Sequence, residues 1–228
     1  MTQCPEAVML FAAGFGTRMG ALTKDRPKPL IQVAGRPLID HALDLVDDLR
    51  PARVAANLHY LPDHLATHLT SKGVLLSHEQ PEILETGGGL RAALPLLGSG
   101  PVFTLNTDAI WSGPNPLTLL RDAWDPDKMD ALLMCIPVAQ TIGHTGPGDF
   151  TVDDAGRITR GPGLVYGGAQ IVKTEGLKAV PEKAFSLNLL WDRMQNQNRL
   201  FAATFPGHWC DVGRPEGIAL AEGLIADV

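Results

Sequence analysis

Apolar runs alternate with segments of helical period along residues 1–140. Residues 8–13 are apolar without interruption, which predicts a parallel strand buried on both faces. Pro37 then opens a helix in which Leu38, Ile39, Ala42, Leu45, Val46 and Leu49 fall on one face. Further strands are predicted at 53–57, 74–77, 102–106 and 131–138, with helices at 61–71, 90–97 and 115–124. This repetition predicts an α/β fold: a Rossmann-like, mixed but mostly parallel sheet with helices on both faces. Ligands in such sheets bind outside the carboxyl ends of the strands, and Gly14, Asn57, Asp108 and Val138 all fall near such ends.

The periodicity changes near residue 140. Residues 143–148 read as a glycine-rich loop, and 150–152 with 157–159 as a hairpin around Asp154-Ala155-Gly156. Residues 161–168 carry four glycines and read as a second flexible stretch. A strand at 169–172, a helix at 186–197 capped by Ser186, a strand at 200–205 and a closing helix at 216–225 complete the prediction. No repeat, low-complexity tract or linker interrupts the chain, so residues 1–228 are expected to form a single domain.

Composition narrows the function. With 228 residues and 45% apolar content, the chain has ample material for one large core. No apolar run approaches the roughly 20 residues needed to span a bilayer, and no basic region precedes the first strand, so neither a membrane anchor nor a signal peptide is expected. A net charge of −6 argues against a nucleic-acid partner. Cys4, Cys135 and Cys210 are widely spaced and form no CxxC pair, so they read as free thiols in a reducing cytoplasm. His64 and His68 have metal-ligand spacing on a helix, but Leu65 stands where an HExxH motif needs glutamate.

The first strand carries the strongest chemical signal. It ends in Ala12-Ala13-Gly14-Phe15-Gly16-Thr17-Arg18, and Lys28 follows between Pro27 and Pro29. Glycines let backbone N–H groups approach phosphate oxygens, and cations on a restricted backbone neutralise the charge. The stretch is not a Walker loop, and Met19 stands where a dinucleotide fingerprint needs its third glycine. Asp108 ends an apolar strand, and Asp211 lies among aromatic and apolar neighbours in Trp209-Cys210-Asp211-Val212-Gly213. Such carboxylates need partners: a cap, a salt bridge, or one Mg²⁺ shared with substrate phosphates. In Glu85-Thr86-Gly87-Gly88-Gly89, Thr86 could cap a helix, while the glycine excess suggests close approach of something flat.

Taken in order, these strings resemble the sugar-1-phosphate nucleotidyltransferases, and among them the short bacterial N-acetylmuramate-1-phosphate uridylyltransferases. The resemblance rests on residues 12–19, Pro27-Lys28-Pro29-Leu30, residues 85–89, Asn106-Thr107-Asp108 and residues 209–213, and so covers nearly the whole chain. It implies a nucleotide-diphospho-sugar transferase fold, with residues 1–140 binding the nucleotide and 141–228 the sugar. It implies that Arg18, Lys28 and Asp108 are catalytic, and that Asp108 and Asp211 hold Mg²⁺. Ala12, Ala13, Gly14, Gly16, Thr17, Glu85, Thr86, Gly87 and Gly88 would bind the nucleotide, with Glu79 and Gln80 near the same pocket. Asn106, Gly148, Asp149 and Gly168 would meet the sugar. The larger thymidylyltransferases carry Glu-Lys-Pro where this chain has Arg160-Gly161-Pro162, which weakens a glucose-1-phosphate reading.

The implied partners are a nucleoside triphosphate and a sugar-1-phosphate, the implied setting is peptidoglycan recycling, and a monomer or small homo-oligomer is expected. Guanylyl transfer to mannose-1-phosphate, thymidylyl transfer to glucose-1-phosphate and cytidylyl transfer to phosphocholine are alternatives within the same chemistry. A non-catalytic nucleotide-sensing subunit is the alternative outside it.

Overall fold

The computed structural model describes residues 4–227. Nine strands form one sheet: β1 (Ala7–Phe11), β4 (Arg53–Leu58), β5 (Leu75–His78), β6 (Val102–Asn106), β8 (Ala131–Pro137), β10 (Phe150–Val152), β11 (Ile158–Arg160), β12 (Leu164–Val172) and β13 (Leu200–Thr204). Strand β1 lies parallel between β4 and β6, and β4 runs parallel to β5. Strand β12 runs antiparallel to both β6 and β8, and β13 lies parallel to β8, so the sheet is mixed but mostly parallel. A second sheet of three short strands, β7 (Ala109–Ser112), β14 (His208–Asp211) and β9 (Thr141–Ile142), and a small ribbon of β2 (Gln32–Val33) and β3 (Arg36–Pro37) sit apart from it.

Alternate side chains of β1 enter different cores, which explains its uninterrupted apolar run. Val8 and Leu10 pack with α1 (Leu38–Leu49), α2 (Pro62–Thr70) and α4 (Pro116–Ala123). Ala7 and Met9 pack with α3 (Glu85–Leu97) and α5 (Asn188–Asn196). The last helix, α6 (Glu216–Ala226), covers the three-stranded sheet through Ala221 beside Cys210 and Val212. Asn115 caps α4 by accepting a hydrogen bond from the Leu117 N–H at 2.9 Å. Among the described residues, no helix is long and apolar enough to cross a membrane.

Three expectations need correction. Helix α3 starts at Glu85 and swallows all three glycines, and Thr86 does not cap it: its hydroxyl accepts from the Leu187 N–H at 3.0 Å. What approaches the glycines is the protein itself: a Cβ on Gly87 would run into the Phe185 ring, one on Gly88 into the Lys183 carbonyl and one on Gly89 into the Glu79 carboxylate. Residues 164–168 are not a flexible stretch but the first half of β12, held against β8. Gly167 and Gly168 fall at an irregularity in that pairing, between Tyr166 and Gln170. The three-stranded sheet was not anticipated, since its strands are too short to show a period.

Candidate active site

The loop after β1 is shaped by glycine where shape is required. Gly16 adopts a left-handed φ of 64°, and a Cβ there would lie 3.0 Å from the Lys28 Cβ. This lets the turn at Thr17–Thr23, which carries Arg18, fold down onto Lys28. Pro27 and Pro29 flank Lys28, the first residue of a short 3₁₀ turn. They restrict its backbone, and the residue is only 9% exposed. Its ammonium donates to Asp108 Oδ2 at 2.7 Å. A buried lysine aimed at a carboxylate beyond the end of β6 is not an ordinary surface cation.

A cavity of about 230 Å³ opens at these carboxyl ends. Ala12, Ala13 and Gly14 form one stretch of its lining, and Ile83, Glu85 and Thr86 another. Lys28, Asn57, Asn106, Thr107 and Asp108 complete its polar side. A Cβ on Gly14 would project into open space, so no protein atom demands glycine there. Gly87 and Gly88 do not line this cavity, and their N–H groups both donate to the Phe185 carbonyl. Thr17 is exposed and also lies outside the lining. A larger hollow of about 890 Å³ lies beside Glu6, Arg53 and Asp130, at the amino ends of β1, β4 and β8 and remote from these groups.

Asp211 reaches the site from the end of β14. Its backbone pairs with Ala109, next to Asp108, and the Val212 N–H donates to the Asp108 carbonyl at 2.9 Å. A Cβ on Gly213 would sit 2.8 Å from Asp211 Oδ2 and 3.1 Å from Arg18 Nη2, so any larger residue there would press on both the carboxylate and the guanidinium. Burial pushes the Asp211 carboxyl above its ordinary pKa, and the Asp108 charge adds to this; Lys28, Arg18 and His144 pull the other way. Two mutually repelling carboxylates suit a hard divalent cation whose other ligands are phosphate and water oxygens. Among the described residues, no cluster of three or more His, Cys, Asp and Glu side chains offers a fuller metal cage.

On the other side, Gly168 has a φ of 89°, and a Cβ there would lie 2.8 Å from the Asn106 side chain. This brings β12 against a residue of the cavity wall. Gly148 and Asp149 stand before β10. Asp149 Oδ2 accepts from the Tyr166 N–H at 2.9 Å, which ties that turn to β12. Sequence reasoning named Asn57 only as a strand end and missed Thr107 and Ile83. A lone asparagine closing a buried strand was the available signal for Asn57.

A glycine loop, two cations and two carboxylates gather beyond the carboxyl ends of β1 and β6, an arrangement suited to phosphate-bearing ligands. Residues 8–145 match the MobA-like NTP transferase domain, and the chain belongs to that family of nucleotidyltransferases. It is 38% identical to the N-acetylmuramate alpha-1-phosphate uridylyltransferase of Caulobacter vibrioides over the full length of both. It is 30% identical to the enzyme of that name from Neisseria meningitidis, over 90% of this chain and 92% of that one. In fold it resembles HddC from Yersinia pseudotuberculosis complexed with GMP-PN, with a TM-score of 0.76, 19% identity, and coverage of 96% of this chain and 99% of that one.

Proposed function

We propose that this enzyme transfers a uridylyl group from UTP to N-acetylmuramate-1-phosphate. The convergence of Arg18, Lys28, Asp108 and Asp211 beside one nucleoside-sized cavity carries the transfer chemistry. The names of the two relatives support the substrate pair.

An oxygen of the sugar phosphate attacks the α-phosphorus and forms the new P–O bond. The bond from the α-phosphorus to its bridging oxygen breaks, and pyrophosphate leaves with the electron pair. The attacking phosphate is already anionic, so no general base is required. Catalysis is alignment plus charge stabilisation. The backbone of Ala12 to Gly14, with Glu85 and Thr86, would hold the nucleoside. Lys28 would lie between the α-phosphate and the attacking phosphate, and Arg18 would hold the leaving pyrophosphate. Asn106, Gly148, Asp149 and Gly168 would frame the sugar. Asp108 and Asp211 would hold one Mg²⁺, which supplies charge neutralisation at the phosphate oxygens.

We place the activity in the cytoplasm, in peptidoglycan recycling and in a monomer or small homo-oligomer. Free thiols such as Cys135 and Cys210 persist in that compartment.

The test is pyrophosphate release from each of the common triphosphates with muramate, glucosamine, glucose and mannose 1-phosphates and with phosphocholine. UTP with N-acetylmuramate-1-phosphate should give the highest kcat/KM. A tenfold advantage for mannose-1-phosphate with GTP, or for glucose-1-phosphate with dTTP, would overturn the substrate pair and leave nucleotidyl transfer standing. Triphosphate binding with no pyrophosphate released from any pair would point to a sensing subunit.

A further inference from the structure

Glu79 follows β5, is 1% exposed and lies behind the cavity lining rather than in it. No cation pairs with it among the described residues, although burying a carboxylate without one is costly. Its two oxygens are each committed. Oε1 accepts from Asn57 Nδ2 at 2.7 Å, and Oε2 accepts from the Leu84 N–H at 2.7 Å. Asn57, itself 3% exposed, turns its Oδ1 to the Ala12 N–H at 2.8 Å. The carbonyl of the same Phe11–Ala12 peptide accepts from Thr107 Oγ1 at 2.9 Å. A Cβ on Gly89 would lie 2.5 Å from Glu79 Oε1 and 2.9 Å from Asn57 Nδ2, so the third glycine of α3 makes room for this relay.

The polarity of the relay has one solution. A carboxylate offers only acceptors, so the Asn57 amide must present its NH₂ to Glu79 and its oxygen to Ala12. Glu79 therefore sets the orientation of the first loop peptide through Asn57, and directly anchors Leu84 at the start of α3. These are the two stretches that line the cavity. We propose that Glu79 is the positioning residue that sets the spacing and donor pattern of the nucleoside pocket, and through them the choice of base. This rests on the cavity being the nucleoside site.

The experiment reverses the polarity and then restores it. Glu79→Gln puts an NH₂ against a donor, and Asn57→Asp sets two carboxylates face to face. Each should raise triphosphate KM and Kd by roughly 10- to 100-fold and narrow the preference among the four bases. The KM for the sugar phosphate should stay unchanged. In the double variant Asn57→Asp/Glu79→Gln, the carboxylate and the amide change places. The carboxylate then accepts from the Ala12 N–H and from the amide NH₂, and the amide oxygen accepts from the Leu84 N–H. Affinity and base ranking should return to within a few-fold of wild type. Circular dichroism and thermal melts establish that each variant is folded. If the single variants unfold, the double variant decides alone. Folded single variants with wild-type triphosphate affinity and base ranking, or a folded double variant that stays impaired, overturn the proposal. Calorimetric triphosphate affinities read the pocket even if no sugar phosphate turns over. Failure of the transfer reading appears in the wild-type chain, failure of this one only in the variants.

Discussion

The Lys28 ammonium donates to the Asp108 carboxylate at 2.7 Å, from a side chain almost wholly withdrawn from solvent. The two residues lie 80 positions apart and belong to different loops, so the contact ties the β1 side of the sheet to the end of β6. A lysine held in this way is preorganised for charge that moves during reaction and loses little side-chain entropy at that moment.

Lys28→Ala should therefore lower kcat by about 10²–10³, the range for loss of one preorganised charge contact, and also raise KM for the triphosphate. Steady-state kinetics separates the two parameters. An effect on KM alone would make Lys28 a uniform binding residue.

Asp108→Asn and Asp211→Asn should each abolish turnover and leave the circular dichroism spectrum intact. Asp211→Asn should also raise Tm at neutral pH without divalent cations. The raised pKa of Asp211 means that its charged form costs stability above the folded-state pKa, through burial and the Asp108 charge. That cost fades as pH falls toward the unfolded-state value near 3.9, so the gap in Tm between variant and wild type should close on acidification. Added Mg²⁺ should raise the Tm of the wild type and not of the variant. Melts from pH 4 to 8, with and without Mg²⁺, check all three points.

Gly168→Ala should destabilise the protein by about 1–2 kcal/mol, because its positive φ strains a Cβ-bearing residue. It should also push Asn106 and so weaken sugar phosphate more than triphosphate. Equal changes in both KM values would remove Gly168 from the sugar side.

Asp130 gives a pH prediction remote from the site. Burial raises its pKa, but hydrogen bonds and charge from Lys173 and Arg199 outweigh this and hold it below the ordinary carboxylate value. A depressed carboxylate contributes stability above its unfolded-state pKa and loses it as pH falls through the folded-state value. Asp130→Asn should cost about 1 kcal/mol at pH 7, since the triad is partly open to solvent and screened. The cost should shrink as pH falls from about 4 through the folded-state value. Chemical denaturation at pH 7 and pH 3 checks it.

The α/β class was legible because β1 and β8 are buried on both faces and show as unbroken apolar runs. The loop after β1 was legible because its glycines and Arg18 lie within a few positions of the apolar run and Lys28 follows between two prolines. Glycines mislead where local spacing cannot tell what approaches them. Gly14 faces open space, whereas Gly87 meets Phe185 and Gly89 meets Glu79, nearly a hundred positions away in the first case and ten in the second.

The sequence by itself determined the strand–helix alternation, the loop after β1 and the candidate residues of each motif, since these follow from local pattern and backbone chemistry. Only the tertiary structure decided which of them meet. Asp211 comes to Asp108 through pairing of β14 with β7, strands too short to announce themselves. Gly168 meets Asn106 because β12 returns antiparallel beside β6. Glu79 governs Ala12 through Asn57, across two side-chain hydrogen bonds that no spacing encodes. Contacts between distant segments depend on sheet order and register, and those are fixed by packing the whole chain at once.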